Sequence, residues 1–147
     1  MSVAPPVDVV CDDPDERSMA ALAHSSIILN TFAPGLGVVA ALAVWLTQRD
    51  RSAYVGRQAL QATIYQLCWL IVPVLLAIIG GLALLGGAIG AAVADVRVGF
   101  AFTPLAIVAF LAAAGIGIVG LLYALVAAYE TFHGRDFRYL VIGNVVH

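Results

Sequence analysis

The chain has 147 residues, 63% of them hydrophobic and only 11% charged, with a formal net charge of −2. An average soluble domain is nearer half apolar and a quarter charged, so the surplus apolar surface calls for lipid as its solvent. The length leaves room for one small bundle and no separate soluble domain, and no basic patch points to nucleic acid.

The opening residues, MSVAPPVDVVCDDPDE, carry neither a positive start nor an adequate apolar run, so they do not read as a signal peptide. Residues 1–13 are expected to be a disordered acidic tail, and residues 14–147 a single transmembrane helical domain. Two cysteines, Cys11 and Cys68, stand in unlike surroundings and make no disulfide framework.

The first helix opens with Asp13 as N-cap, Pro14 at the first helical position, and Asp15 and Glu16 against the positive end of the helix dipole. It runs through RSMAALAHSSIILNTF, with His24, Ser25, Ser26, Asn30 and Thr31 as polar insertions. Pro34-Gly35 breaks this first hydrophobic region, because proline removes a donor and glycine permits turn conformations. A second apolar helix, Val38 to Leu46, follows and reaches an interfacial Trp45 before the aqueous stretch TQRDRS.

Two geometries fit this region. One is a single kinked span from Met19 to Leu46. The other is a hairpin of two short helices that enter and leave on one side. Basic residues stay on the cytoplasmic side, so the loop bearing Arg49, Arg51 and Arg57 sets the orientation and places the C-terminus, with Arg135 and Arg138, in the cytoplasm. The hairpin puts Arg17 on that side too. The same arginines, Arg49, Arg51 and Arg57, also suit anionic lipid head groups.

The stretch from Tyr54 to Ala94 dominates the chain. No charge falls between Arg57 and Asp95, and roughly 20 apolar residues suffice to cross a bilayer as a helix. Gln58, Gln61 and Tyr65 share one helical face, with Gln66 beside them. Pro73 predicts a kink. The stretch exceeds one straight crossing, which predicts fraying or a turn near Gly86 to Gly90. Asp95 to Gly99 reads as a loop, and the last span opens near Thr103-Pro104 and runs to Ala128. Gly86 and Gly90 have small-xxx-small spacing, and Gly117 lies on a small-residue face of the last span; both are expected to mediate helix packing. The closing ETFHGRDFRYLVIGNVVH turns at Gly134 and ends in an apolar strip, expected to lie on the membrane surface or cap the bundle.

Four segments carry a family resemblance: ERSMAALAHSS, PGLG with AVWLTQRDRS after it, YVGRQALQATIYQ, and GRDFRY. Together they resemble the DUF forty-eight-seventy family of small prokaryotic membrane proteins, which is related to the Tic-twenty component of the chloroplast inner-envelope import machinery. The resemblance spans about Glu16 to Ile142. The chain departs from the pattern at Leu140, where a proline is common, and at Gly56-Arg57, where histidine or lysine is. The resemblance implies a four-helix arrangement with both ends on one side, in a prokaryotic cell membrane.

His24, Asn30, Gln58, Gln61 and Gln66 are the candidate site residues. Polar groups at membrane depth face other helices or water, so this set reads either as a polar lining for a solute path or as inter-helix hydrogen bonds. Glu130 and His133 have the spacing of carboxylate–histidine metal sites, but no further carboxylates lie in the long spans to complete one, and no metal or cofactor is expected. No Ser-His-Asp, GxSxG, HExxH or P-loop pattern appears. The expected fold is all-α, an integral membrane bundle of three or four helices. The expected role is non-enzymatic: a subunit or assembly component of a membrane complex, in contact with lipid and with other subunits or copies of itself. The alternative is a channel or translocation component, which the resemblance and the polar first helix motivate.

Overall fold

The computed structural model describes residues 11–140. Of the tail expected over residues 1–13, residues 1–10 lie outside the described residues, as does the closing strip from residue 141. The fold is all-helical, and among the described residues there is no strand. In chain order come α1 (Pro14–Ser25), a 3₁₀ helix (Ser26–Thr31), α2 (Leu36–Gln48), α3 (Ala53–Val93) and α4 (Val96–Phe132). Contacts divide the chain into two compact units. One holds residues up to 68 together with those from 121 onward; the other is Trp69–Gly120.

In the first unit, Asp13 caps α1 through a 2.9 Å bond from the Asp15 amide to its carboxylate, and Pro14 opens the helix. The helix tightens into 3₁₀ geometry at Ser26, where Ser25, Ser26 and Thr31 turn their hydroxyls back onto main-chain carbonyls one turn earlier. Such local bonds compete with the α ladder. Gly35 then adopts a left-handed φ of 91° and starts α2. The amide of Asn30 holds this turn closed, its Oδ1 accepting from the Gly35 and Gly37 N–H groups at 3.1 and 2.9 Å. The first hydrophobic region is therefore a helical hairpin in which α2 folds back on α1 and the 3₁₀ helix. A core of Ala23, Ala41, Ala59 and Ala62, all 0% exposed, joins α1, α2 and the start of α3. Methyl-sized side chains let the helix backbones approach closely.

The second unit is the far part of α3 and the near part of α4, joined by a tight turn at Ala94 and Asp95. Three expectations about α3 and α4 are corrected. α3 does not fray or turn near Gly86 to Gly90: it is continuous for 41 residues, through Pro73 and every glycine pair. Its ladder of main-chain bonds survives because proline removes only one donor and glycine removes none. α4 begins at Val96, not near Thr103, with Asp95 accepting from the Arg97 amide at 2.8 Å; Pro104 consequently lies inside the helix. It also ends later, at Phe132 rather than Ala128. Both helices are long and apolar enough to cross a membrane.

Glycines set the packing distance within this unit. A Cβ on Gly99 would stand 2.8 Å from the Ala91 Cβ and 2.9 Å from the Gly87 carbonyl. Gly80 faces the Phe110 ring, and Gly120 lies under the Trp69 indole, whose Nε1 donates to the Ile116 carbonyl at 2.8 Å.

Candidate functional site

The first unit buries a ladder of polar side chains along the opening turns of α3. Gln58, Gln61 and Gln66 are at most 1% exposed, and His24 is fully buried. These are the most buried large side chains of the described residues, outranking most of the apolar ones.

At the lowest rung stands Asp136, in the segment after α4. Its Oδ1 accepts from Arg57 Nη2 at 3.1 Å and from Gln58 Nε2 at 2.8 Å, and its Oδ2 accepts from Arg138 Nε at 3.0 Å. One carboxylate thus gathers two guanidiniums and an amide. Gln58 Nε2 also donates to the Phe137 carbonyl at 3.2 Å, which leaves Gln58 Oε1 as an acceptor toward His24 Nε2, 3.1 Å away. The histidine proton therefore sits on Nε2. Nδ1 is then an acceptor, and the Tyr139 hydroxyl, 3.0 Å away, donates to it. A continuous chain runs from Asp136 through Gln58 and His24 to Tyr139.

Aromatic rings enclose this chain. Tyr65 and Tyr139 stack with centroids 4.0 Å apart and planes 9° apart, and Tyr123 meets both edge-on. The upper rung is separate. Gln66 Nε2 donates to the Ala23 carbonyl at 3.1 Å and to Ser26 Oγ at 3.0 Å, while Asn30 Nδ2 donates to Gln66 Oε1 at 3.4 Å. Between the rungs, both polar atoms of the Gln61 amide are buried with no hydrogen-bond partner, as is Arg57 Nε one turn below.

The five polar residues singled out from sequence thus all lie in the first unit, with His24 bound to Gln58 and Asn30 bound to Gln66. The three arginines separate. Arg57 joins Asp136, Arg49 lies over the Trp45 ring at 5.2 Å, and Arg51 is exposed in the turn before α3. Of the packing glycines, Gly90 faces Val98, Gly86 only grazes Phe102, and a Cβ on Gly117 would meet nothing within 4 Å. Glu130 pairs with Arg135 at 2.8 Å and His133 Nδ1 lies 2.8 Å from the Tyr129 carbonyl; no cluster of three or more His, Cys, Asp or Glu occurs among the described residues.

Sequence reasoning missed Asp136, Tyr139, Tyr65 and Tyr123 as members of the site. The signal was present: GRDFRY packs a carboxylate between two arginines and two aromatics immediately after a helix. Gly134, at a left-handed φ of 75°, reverses the chain there and aims this segment back toward α1 and α3.

The arrangement acts as a lock. It joins neutral donors and acceptors to one neutralised carboxylate, and its chemistry is to tie the segment after α4 to the helices at the start of the chain.

Comparison with known families covers nearly the whole chain. Residues 15–146 match the model of the magnetosome magnetite crystal formation protein family, MamF/MmsF. Neither the curated proteins nor the solved structures provide a match. The match overturns the resemblance to the DUF forty-eight-seventy and Tic-twenty families. The segments that carried it are short and record helix ends, turns and small-residue faces, whereas the family match spans residues 15–146. The channel reading drew on that kinship and on the polar first helix, and the kinship no longer supports it.

Proposed function

We propose a function from the premise that the chain belongs to the magnetosome magnetite crystal formation protein family: it is a non-enzymatic membrane component that acts in forming magnetite crystals, by assembling with itself or with other membrane subunits. One observation carries the membrane part. α3 and α4 have no charged side chain between Arg57 and Asp95 or between Arg97 and Glu130, and their large apolar side chains face outward; Leu82, Leu85, Val108 and Leu111 are more than half exposed. A soluble bundle hides such residues, whereas lipid solvates them.

The assembly part is supported by open glycine positions. Gly115 and Gly117 leave space on α4, where a second helix could approach as closely as Gly87 and Gly99 allow within the chain. The hairpin favours a topology with both chain ends on the cytoplasmic side, because α1 and α2 return to the end from which they started.

Removing the gene from a magnetite-forming cell and sizing its crystals by electron microscopy tests this reading. Smaller or misshapen crystals, restored on resupply of the chain, are expected. Crystals of unchanged size, number and shape would overturn it.

A further inference from the structure

The hairpin of α1, the 3₁₀ helix and α2 is too short to cross a bilayer. α2 has 13 residues, about 20 Å of helix, against a hydrocarbon core of about 30 Å. Its depth can be read against α3, which lies beside it. The base, at Arg49, is level with Gly56–Arg57, since a Cβ on Gly56 would stand 3.1 Å from the Arg49 Cα. The tip is level with Gln66, which holds Ser26 and Asn30. From 57 to 66 is nine steps of helix, about 14 Å, close to half of that core.

The surface of the hairpin grades the same way. At the tip, Phe32 is 80% exposed and Leu36 is 45% exposed, with Val39 at 61% just beyond the turn. No Asp, Glu, Lys or Arg occurs between Arg17 and Arg49. At the base, Trp45 lies under the Arg49 guanidinium, with exposed Arg51 two residues on. An amphipathic indole beside two guanidiniums complements the glycerol and phosphate level of an anionic leaflet.

We infer that the hairpin is a wedge occupying a single leaflet, its Phe32 tip at the bilayer midplane and its Trp45–Arg49 base among anionic phosphates, so that the protein favours strongly curved membrane. Volume added to one leaflet without the other is relieved by bending away from the unfilled side, and insertion of this kind is curvature-sensitive. The inference rests on the membrane reading proposed above but goes further, since a bundle whose first region crossed fully would add equal volume to both leaflets.

The test uses the full chain with Cys11→Ser and Cys68→Ser, reconstituted in phosphatidylcholine–phosphatidylglycerol vesicles. A fluorophore on Phe32→Cys should be quenched best by lipids brominated near the chain end, and one on Thr47→Cys by lipids brominated near the glycerol. A membrane-impermeant maleimide should reach Asp15→Cys and Asp50→Cys from the same side. In tubes drawn from giant vesicles, the labelled chain should be enriched about two-fold or more over flat membrane, and Phe32→Asn should reduce that enrichment. Opposite-side labelling, or equal density in tube and flat membrane, overturns the wedge while leaving the membrane reading intact. Release of the chain from vesicles by an alkaline wash removes both.

Discussion

The side-chain amide of Gln58 donates to Asp136 Oδ1 at 2.8 Å across 78 residues of sequence. That bond, with the Arg57–Asp136 pair beside it, fastens the segment after α4 to the first turns of α3. Removing the acceptor leaves the buried Gln58 amide with only its weaker bond to the Phe137 carbonyl and loosens two guanidiniums. Asp136→Ala should therefore destabilise the protein by roughly 1–3 kcal/mol, with Asp136→Asn between it and the wild type. Thermal unfolding in mild detergent checks this, and proteolysis should reach the segment after Phe132 in the alanine variant first.

Gln58 and Gln61 are neighbours on one helix and should respond oppositely to the same change. Gln58→Leu breaks bonds to His24, Asp136 and Phe137. Gln61→Leu removes an amide whose two polar atoms have no partner. Leaving a polar group unmet costs about 1–3 kcal/mol, so Gln61→Leu should leave stability equal or higher, while Gln58→Leu lowers it. Melting temperatures of the two variants in one detergent decide the matter.

The two amides also show what the sequence could and could not say. Their shared helical face follows from the spacing of Gln58, Gln61 and Tyr65, and the break at Pro34-Gly35 follows from backbone chemistry. The cap at Asp13 was equally legible. What joins the amides is not local. Asp136 and Tyr139 arrive from the far end of the chain, and only the reversal at Gly134 brings them in. The helix bounds failed for a related reason. Glycine pairs and prolines weaken a helix in water, but a long apolar segment keeps its own main-chain bonds when nothing outside offers better ones, so α3 runs on past Gly90 and α4 starts before Pro104.

His24 should couple energetically to Gln58 by about 0.6 kcal/mol, the usual size for an inter-helix hydrogen bond in a membrane protein. A double-mutant cycle with His24→Ala and Gln58→Ala measures it. Tyr139→Phe, which keeps the stacked ring on Tyr65 but loses the hydroxyl, should cost less than Tyr139→Ala.

Glycines separate internal packing from assembly. A Cβ on Gly37 would lie 2.5 Å from the Ser26 carbonyl and 2.6 Å from Gln66 Oε1, so Gly37→Ala should cost about 1–3 kcal/mol. Gly117→Ala meets nothing within the chain and should be neutral or up to about 1 kcal/mol stabilising. If α4 packs on another copy there, Gly117→Ala weakens the oligomer without lowering monomer stability, which native mass spectrometry resolves.

Cys11 gives a handle on pH. Burial, and then the 3.3 Å bond to the Glu16 carboxylate, raise its thiol above the ordinary 9.0. A raised thiol contributes stability that is complete below the unfolded value and is lost as pH climbs through the folded one. Alkylation of Cys11 should thus stay slow near neutrality and accelerate only above about pH 9, together with loosening of the Cys11–Gly134 contact. Rates measured in a Cys68→Ser background isolate it.

The most direct measurement is an alkaline carbonate wash of membranes from cells that express the chain, followed by sedimentation. Retention in the pellet, with release only by detergent, is the predicted result, because α3 and α4 expose apolar side chains that water cannot accommodate. Quantitative release into the aqueous supernatant as a folded, monodisperse protein would contradict the account.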